Sequence, residues 1–233
     1  MNNKLSIQER FEFINNKIIK ICQRIGRKEN QISILPVSKN FTCNNIQEAQ
    51  LLGFKRFGEN RTQEIHSKYK ELINKNIKWV MIGHLQKNKI KDIIEYIEEV
   101  QSLDSLELAQ NLNNYLQKQN KTLNVMVQIK TSPEPSKYGL NPSDLISFLH
   151  KISDTTTHIK VIGLMTIAEL TSDQNRIREC FRLTRKLLEQ ASKYNMPSVN
   201  LEHLSMGMSN DFEIAIEEGA TEIRLGSSLF GNR

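Results

Sequence analysis

An apolar run of strand length near the start of the chain ends in a lysine. Residues 32–39 read Ile-Ser-Ile-Leu-Pro-Val-Ser-Lys, which would place Lys39 at the mouth of a buried strand. A lysine in that position can lose hydration, which lowers the pKa of its ε-amine and prepares it to form a Schiff base with a carbonyl group. The same pattern also fits a solvated charge that ends the buried segment, because lysine is rarely buried. Lys39 is therefore a candidate for covalent chemistry, and its role depends on the rest of the site.

Two loops of small residues near the C-terminus are typical of anion binding. Residues 205–209 read Ser-Met-Gly-Met-Ser and precede a predicted helix, and residues 226–228 read Gly-Ser-Ser after the last predicted strand. Backbone amides and serine hydroxyls in such loops can surround a phosphate. Either loop alone also fits an ordinary helix cap or turn. Their joint presence favours a phosphate site.

Other polar residues stand where predicted strands end. Arg224 closes the last strand, where it could reach a cofactor ring or simply be a surface arginine. Asn60 follows a short strand, and His84 lies in a Gly-His-Leu-Gln segment after another. His84 could act as a base, stack on a ring or have a purely structural role. The other histidines show no spacing with carboxylates that would indicate a metal site.

Strand patterns and helical patterns alternate along the whole chain. Ser6 and Glu9 form a capping box for a first helix that ends at Gly26. Predicted strands follow at residues 32–39, 56–57, 78–82, 99–102, 123–129, 159–165, 200–204 and 221–225. Predicted helices lie between them at about 42–53, 61–73, 88–96, 105–119, from 143, at 174–194 and at 210–218.

Eight strand–helix units predict an α/β fold, a single (β/α)8 TIM barrel with an additional N-terminal helix, as one domain over residues 1–233. An open doubly wound sheet would use the same alternation. Residues 226–233 are too few for a closing helix, so we expect the N-terminal helix to cover that gap. In a barrel, the loops after strands seven and eight are preferred phosphate sites, and the C-terminal ends of the strands carry the chemistry.

Composition narrows the class of protein. The chain has 233 residues, 38% of them hydrophobic, and a net charge of +6. The most basic stretch, residues 87–91, lacks interleaved aromatic residues and is interpreted as a solvated helix face, so nucleic acid is not the expected partner. Three distant cysteines argue against disulfides and zinc sites, and no long apolar segment indicates a membrane span. We expect a cytoplasmic protein whose partner is an anionic small molecule.

Six segments, in order, resemble the pyridoxal phosphate homeostasis proteins, whose fold is a single barrel like the N-terminal domain of alanine racemase. The resemblance lies between Val37 and Arg233. The segments are 57–60 (Phe-Gly-Glu-Asn), 82–89 (Ile-Gly-His-Leu-Gln-Lys-Asn-Lys), 101–105 (Gln-Ser-Leu-Asp-Ser), 163–167 (Gly-Leu-Met-Thr-Ile), 204–209 (Leu-Ser-Met-Gly-Met-Ser) and 224–231 (Arg-Leu-Gly-Ser-Ser-Leu-Phe-Gly).

The resemblance implies a role for each candidate residue. Lys39 would hold pyridoxal 5'-phosphate (PLP) as a Schiff base, and Arg224 would face the pyridine nitrogen. It further implies a monomer that buffers PLP and delivers it to PLP-dependent apo-enzymes. The phosphate would lie against Ser209, Gly226 and Ser227, and the pocket would be lined by Asn60, His84, Ser205 and Met208.

Three residues depart from the family pattern. Pro36 replaces a small residue in the first strand, and because proline cannot donate to a ladder it puts the regularity of that strand in doubt. Val80 stands where a histidine is common, and Ser227 where threonine is frequent. Neither of the last two removes a required group.

Arg224 bears on the choice between enzyme and carrier. Arginine stays protonated and has no acceptor, so it would leave the ring nitrogen unprotonated and the ring a poor electron sink. This argues against transamination and decarboxylation. A racemase would tolerate the arginine but needs a second base, for which Tyr138 is the only plausible tyrosine outside the predicted helices. We therefore expect a PLP carrier without robust catalysis; the alternatives are a weak PLP-dependent racemase or lyase and, from another class, a basic nucleic-acid-binding protein.

Overall fold

Eight parallel strands curve into a barrel with helices on its outside in the computed structural model, which describes residues 5–132, 134 and 138–231. The order of hydrogen-bonded neighbours is β1-β8-β7-β6-β5-β4-β3-β2, so the strands follow one another around the barrel and the doubly wound alternative is wrong. The strands are β1 (Ser33–Pro36), β2 (Arg56–Glu59), β3 (Lys78–Met81), β4 (Ile97–Leu103), β5 (Leu123–Ile129), β6 (Ile159–Thr166), β7 (Val199–Ser205) and β8 (Glu222–Leu225).

The predicted barrel is confirmed, with most helices within a few residues of their predicted bounds. Their apolar faces are buried against the outside of the sheet, for example at Ile46, Leu112 and Phe181. The helices are α1 (Ile7–Ile25), α2 (Cys43–Leu51), α3 (Thr62–Glu71), α4 (Leu106–Lys118), α5 (Leu145–Thr155), α6 (Gln174–Ala191), α7 (Phe212–Glu217) and α8 (Ser227–Phe230).

The helix predicted at residues 88–96 is wrong. The chain forms a 3-10 helix at Lys87–Asp92, then a turn, and β4 begins at Ile97. Three isoleucines, at positions 90, 93 and 94, are buried there. Their spacing resembles the apolar stripe of a helix. Branched side chains, however, crowd the preceding turn of an α-helix, and the 3-10 helix with the turn after it already buries all three.

The N-terminal helix covers the gap left by the missing closing helix after β8, as predicted. Its capping box is present, with Glu9 N donating to Ser6 Oγ at 3.1 Å and Ser6 N donating to Glu9 Oε2 at 2.7 Å. The buried face of α1 packs against α7 and α8. Arg27, just beyond α1, donates to the carbonyl of Ile216 at 3.0 Å. α1 thus fills the place of a closing helix, and a full helix after β8 is not needed to cover the barrel there.

Pro36 lies on the seam where the sheet closes. Val37 N donates to Leu225 O of β8 at 2.8 Å, whereas Ser38 N donates to Gly58 O of β2 at 3.0 Å. Since backbone N–H groups of successive residues point to opposite neighbours, an N–H at position 36 would point towards β2. Proline has none. The pairing of β1 with β8 is regular from Ser33 to Pro36, while β1 and β2 meet only through a bridge between Val37 and Gly58.

Within the described ranges, no helix is long and apolar enough to cross a membrane, and no group of three or more His, Cys, Asp or Glu side chains could hold a metal ion. Cys22, Cys43 and Cys180 are free and buried. The loop after β5 contains Pro133, Pro135 and Lys137, which lie outside the described residues.

Candidate functional site

Lys39 lies in a tight turn directly after β1. The turn runs from Ser38 to Phe41 and is closed by Phe41 N donating to Ser38 O at 2.9 Å. Asn40, its third residue, has φ 61°, a left-handed conformation that asparagine tolerates better than most residues. Lys39 itself is half-buried. The predicted strand therefore ends three residues early, and the lysine is presented by a turn.

The loop after β8 lies against the end of β1. Val37 and Leu225 share a backbone hydrogen bond, and a Cβ built on Gly226 would lie 3.5 Å from Val37 O. Gly226 is thus next to the residue two positions before Lys39. The barrel brings the lysine turn and the second small-residue loop to the same rim.

Three serine hydroxyls from the two small-residue loops converge on this rim. The Oγ of Ser209 lies 3.0 Å from that of Ser228 and 3.4 Å from that of Ser227, and Ser228 N donates to Ser209 Oγ at 3.3 Å. We call Ser209, Ser227 and Ser228 the serine cluster. Hydroxyls gathered in this way can reorient to donate to the oxygens of one phosphate group. The sequence places Ser228 in the second small-residue loop, whereas the phosphate contacts that the resemblance implies are Ser209, Gly226 and Ser227 without it.

Gly207 shapes the first of these loops. Its φ is 93°, and a Cβ at this position would lie 2.5 Å from the Cβ of Ala215. Only glycine fits there. The following residues are fixed by Asp211, whose Oδ1 accepts from Met208 N, and the Met208 side chain is 38% exposed at the rim.

Arg224 is buried at the end of β8, and its guanidinium is fixed by neighbouring strands. Nη1 donates to Ser205 O at 2.7 Å and to Ser205 Oγ at 2.9 Å, and Nη2 donates to Thr166 O at 2.7 Å. Burial lowers the pKa of Arg224 to about 10, against the opposing charges of Glu222 and Asp211. Arg224 is therefore still a cation at neutral pH.

A hydrogen-bonded column of polar side chains continues below Arg224 through the barrel. Ser205 Oγ lies 2.7 Å from Gln101 Oε1 and 3.0 Å from Glu222 Oε1, and Gln101 Nε2 donates to Glu222 at 2.6 Å and to Glu99 at 2.7 Å. We call it the polar column. It consists of Arg224, Ser205, Gln101, Glu222, Glu99 and Arg56.

Arg56 closes the lower end of the polar column. Its guanidinium donates to Glu99 Oε2 at 2.6 Å and to Glu222 Oε2 at 2.7 Å. Burial raises the pKa of Glu99, and the charge of Arg56 opposes that effect. The sequence contains a signal for this column. Glu222 and Arg224 are charged and two residues apart in a predicted strand, and alternate residues of a strand share one face, so both side chains lie on the same side of the sheet.

His84 and Asn60 lie on neighbouring loops after β3 and β2. A Cβ on Gly83 would lie 2.3 Å from Asn60 O, so glycine is required for the two loops to approach. The imidazole of His84 stacks on the ring of Tyr138 with centroids 3.8 Å apart and an interplanar angle of 13°. His84 Nδ1 is 3.7 Å from Asp104 Oδ2, and burial raises the pKa of Asp104 while His84 opposes this.

A cavity of about 180 Å³ adjoins this part of the rim, at the ends of β3, β5 and β6. It shares His84 with the predicted site, but its described lining does not include Lys39, Arg224 or the serine cluster. The lining residues are Ile82, Gly83, His84, Gln128, Ile129, Lys130, Thr131, Tyr138 and Ile167.

Comparison with known proteins agrees with the fold and with the resemblance of the motifs. The family described as "Alanine racemase, N-terminal domain" matches residues 16–233. The pyridoxal phosphate homeostasis protein of Aquifex aeolicus (strain VF5) is 38% identical over 226 residues, covering 97% of each chain. The protein of the same description from Pasteurella multocida (strain Pm70) is 34% identical over 231 residues, covering 98% of each.

A solved structure resembles the whole barrel. PipY of Synechococcus elongatus PCC7942, described with PLP bound, has a TM-score of 0.81 and 31% identity, covering 92% of this chain and 100% of PipY. Sequence, family and structure thus agree over nearly the full length of the chain. This chain belongs to the pyridoxal phosphate homeostasis proteins, within the alanine racemase N-terminal domain family.

Proposed function

We propose that this protein binds PLP as a Schiff base on Lys39 and takes part in vitamin B6 homeostasis by buffering the cofactor and delivering it. The observation that carries the proposal is the meeting of the Lys39 turn with the two small-residue loops at one rim, through the contacts of Val37 with Leu225 and Gly226. The relatives described as pyridoxal phosphate homeostasis proteins, and PipY with PLP bound, support it.

The described residues fit the phosphate of PLP. The serine cluster supplies three hydroxyls, with those of Ser228 and Ser227 lying 3.0 Å and 3.4 Å from that of Ser209. No Cβ projects from Gly226, so that position leaves room beside the hydroxyls. Ser209, Gly226 and Ser227 are the predicted phosphate contacts, and we add Ser228 to them.

The described residues also fit the ring and the aldehyde. When bound, PLP supplies an aldehyde for Schiff-base exchange and a pyridine ring that withdraws electrons if its nitrogen is protonated. The ε-amine of Lys39 would add to the aldehyde carbon, with loss of water. Asn60, His84 and Met208 lie on loops of the same rim and are the proposed lining of the pocket, whereas the Ser205 hydroxyl lies within the polar column and accepts from Arg224.

Arg224 argues against the PLP chemistries that need a protonated ring nitrogen, such as transamination and decarboxylation. Its two terminal nitrogens are engaged with Ser205 and Thr166, and it offers no carboxylate that could hold a proton on the pyridine nitrogen. The ring then stabilises a carbanion poorly. We infer a protein that holds and releases PLP rather than one that transforms amino acids.

A weak racemase or lyase remains the alternative function, and one observation favours it. Tyr138 is 55% exposed and stacks on His84 at the rim, where a phenol could act as a second acid–base group. Turnover of amino acids at ordinary enzyme rates, about one per second or more, would overturn the carrier assignment.

Borohydride reduction followed by peptide mapping tests the proposed tether. Incubation of the pure protein with PLP should place the pyridoxyl adduct on the peptide that contains Lys39, and Lys39→Ala should remove it. Lys130→Ala is the matched control, because Lys130 lines the cavity beside His84 and should not be needed. An adduct on Lys130 or Lys137 with none on Lys39 would refute the assignment.

A further inference from the structure

The residues on both sides of Lys39 are fastened by side chains from β2 and α3. Ser38 O accepts from Lys68 Nζ at 2.8 Å, and Ser38 Oγ donates to Glu59 Oε1 at 2.6 Å. On the other side, Asn40 N donates to Glu64 Oε2 at 2.8 Å. We call Glu59, Glu64 and Lys68 the Lys68 cluster.

The ammonium group of Lys68 is saturated with acceptors. Besides Ser38 O, it donates to Glu59 Oε1 at 2.7 Å and to Glu64 Oε2 at 3.1 Å, which uses the three donors that an ammonium group has. The Lys68 side chain is 10% exposed and that of Glu59 is 0% exposed. The cluster is therefore a buried ion pair whose geometry is fixed from three directions.

Stability alone does not explain a buried charge pair here. Removing two charges from water costs several kcal/mol per ion, and well-packed apolar residues in the same place are often as stable or more stable. The pairing is also incomplete, since Glu59 Oε2 has no hydrogen-bond partner in the described part of the chain. What the charges provide, and apolar residues could not, is a set of directed bonds to the backbone around Lys39.

We propose that Lys68, fixed by Glu59 and Glu64, is a positioning residue that sets the Lys39 turn so that its amine meets the cofactor held by the serine cluster. This rests on the proposed PLP-binding function. The support reaches the left-handed residue of the turn directly, because the amide of Asn40 donates to Glu64. The hydrogen bond that closes the turn, from Phe41 N, also shares the Ser38 carbonyl with Lys68.

The competing interpretation is that the Lys68 cluster only fastens α3 to β2. That role affects folding stability but not PLP affinity at temperatures where the protein is folded. The two interpretations separate when stability and affinity are measured on the same variants.

The test compares Lys68→Met with the double variant Lys68→Met/Glu59→Gln. The single variant leaves Glu59 buried without its cation, so its Tm should fall. The double variant removes both charges and keeps a partner for Ser38 Oγ, so its Tm should return to about the wild-type value. We expect both to bind PLP at least about tenfold more weakly, and to bind pyridoxal more weakly by a similar factor, because the defect is in the lysine and not in the phosphate contacts.

Lys70→Met is the matched control, since Lys70 is exposed on the same helix and should leave both affinity and Tm unchanged. A double variant with regained Tm and wild-type PLP affinity would overturn the proposal. Should the double variant not fold, Glu64→Ala decides: an unchanged Kd refutes the positioning role, and a severalfold weaker Kd at a near-wild-type Tm supports it.

Failure of the proposed function is recognised separately. Borohydride mapping of the wild-type protein comes first, and an absence of the Lys39 adduct refutes the tether and with it the role of Lys68. With the wild-type adduct established, only the affinities of the Lys68 cluster variants bear on the positioning role.

Discussion

The serine cluster concentrates three hydroxyls at the place where two loops meet, and each hydroxyl is close enough to another to exchange partners. Ser209 is its centre, because its Oγ contacts Ser227, Ser228 and the Ser228 amide. A phosphate arriving here would replace bonds among the hydroxyls by bonds to charged oxygens, which are about twice as strong. The affinity for PLP should therefore depend on Ser209 more than on any other single hydroxyl.

We predict that Ser209→Ala weakens PLP binding roughly five- to tenfold, the equivalent of about 1 kcal/mol for one hydrogen bond. Binding of pyridoxal, which lacks the phosphate, should be unchanged. Titration with both compounds measures the difference. Ser192→Ala is the control, because the Ser192 hydroxyl bonds only to its own helix at Leu188 O. If the Ser209→Ala variant bound PLP and pyridoxal more weakly by the same factor, Ser209 would not act through the phosphate.

The candidate residues at strand ends were predictable from the sequence. The residues that hold the Lys39 turn in place were not. Lys39, Arg224 and the two small-residue loops follow apolar strands, and parallel strands bring their carboxyl ends together. Glu59 was seen only as part of a family motif, and Lys68 reads as one of many lysines on a helix. Their bonds to Ser38 depend on how α3 lies over β2, which no local pattern encodes.

At the scale of elements, α6 and α7 are joined by a cluster of arginines around one carboxylate. Glu218, at the end of α7, lies 2.9 Å from Arg178 and 3.0 Å from Arg182, with Arg185 at 3.7 Å. Burial raises the pKa of Glu218, but the hydrogen bonds from Arg178 and Arg182 outweigh it and leave that pKa below its usual value. A carboxyl group with a lowered pKa stabilises the folded state above its unfolded pKa and loses this contribution as the pH falls through its folded pKa.

Glu218→Gln should accordingly lower the free energy of unfolding by about 2 kcal/mol at pH 7, the magnitude of hydrogen bonds to a charged group. The difference from wild type should shrink below about pH 4.5, where the unfolded-state carboxyl becomes protonated. Urea unfolding at several pH values between 3.5 and 7 measures it. Glu213→Gln, which removes an exposed ion pair with Lys17, should cost less than about 1 kcal/mol. If the difference in the free energy of unfolding between Glu218→Gln and wild type does not change with pH, the effect of Glu218 is due to packing and not to its charge.

The longer helices and strands were predictable from the periodicity of their apolar residues. The capping box of α1 and the whole of β5 lie as predicted, since each carries a repeated pattern over several residues. The helix predicted at 88–96 is wrong because its three isoleucines fit a helical stripe, whereas the structure buries them with a 3-10 helix and the turn after it. The place of Pro36 on the barrel seam also escaped prediction, because the direction of its missing N–H depends on which strands pair.

For the whole molecule, we propose one binding unit that works as a monomer in the cytoplasm and hands PLP to apo-enzymes. The described residues form one barrel, and among their tyrosines Tyr138, at the rim beside His84, is the candidate for the second acid–base group that a racemase needs. We predict a solution mass near 27.0 kDa, with and without PLP, and no turnover of L-alanine, L-serine or 2-oxo acids near one per second. Light scattering measures the solution mass, and a coupled assay on the same sample measures the turnover. A mass of twice that value together with racemisation would favour the enzyme.

The pairing of β1 with β8 also dictates when the site can form during synthesis. In the described sheet, the ladder partner of β1 is β8, and α1 packs on α7 and α8. At about 5–20 residues per second, a ribosome needs roughly 10–40 s to travel from the first strand to the last. Throughout that interval β1 lacks its ladder partner, and the loops that would receive the phosphate do not yet exist. A nascent chain therefore has no means of capturing its cofactor early, and PLP can be tethered in the native manner only after β8 has left the ribosome.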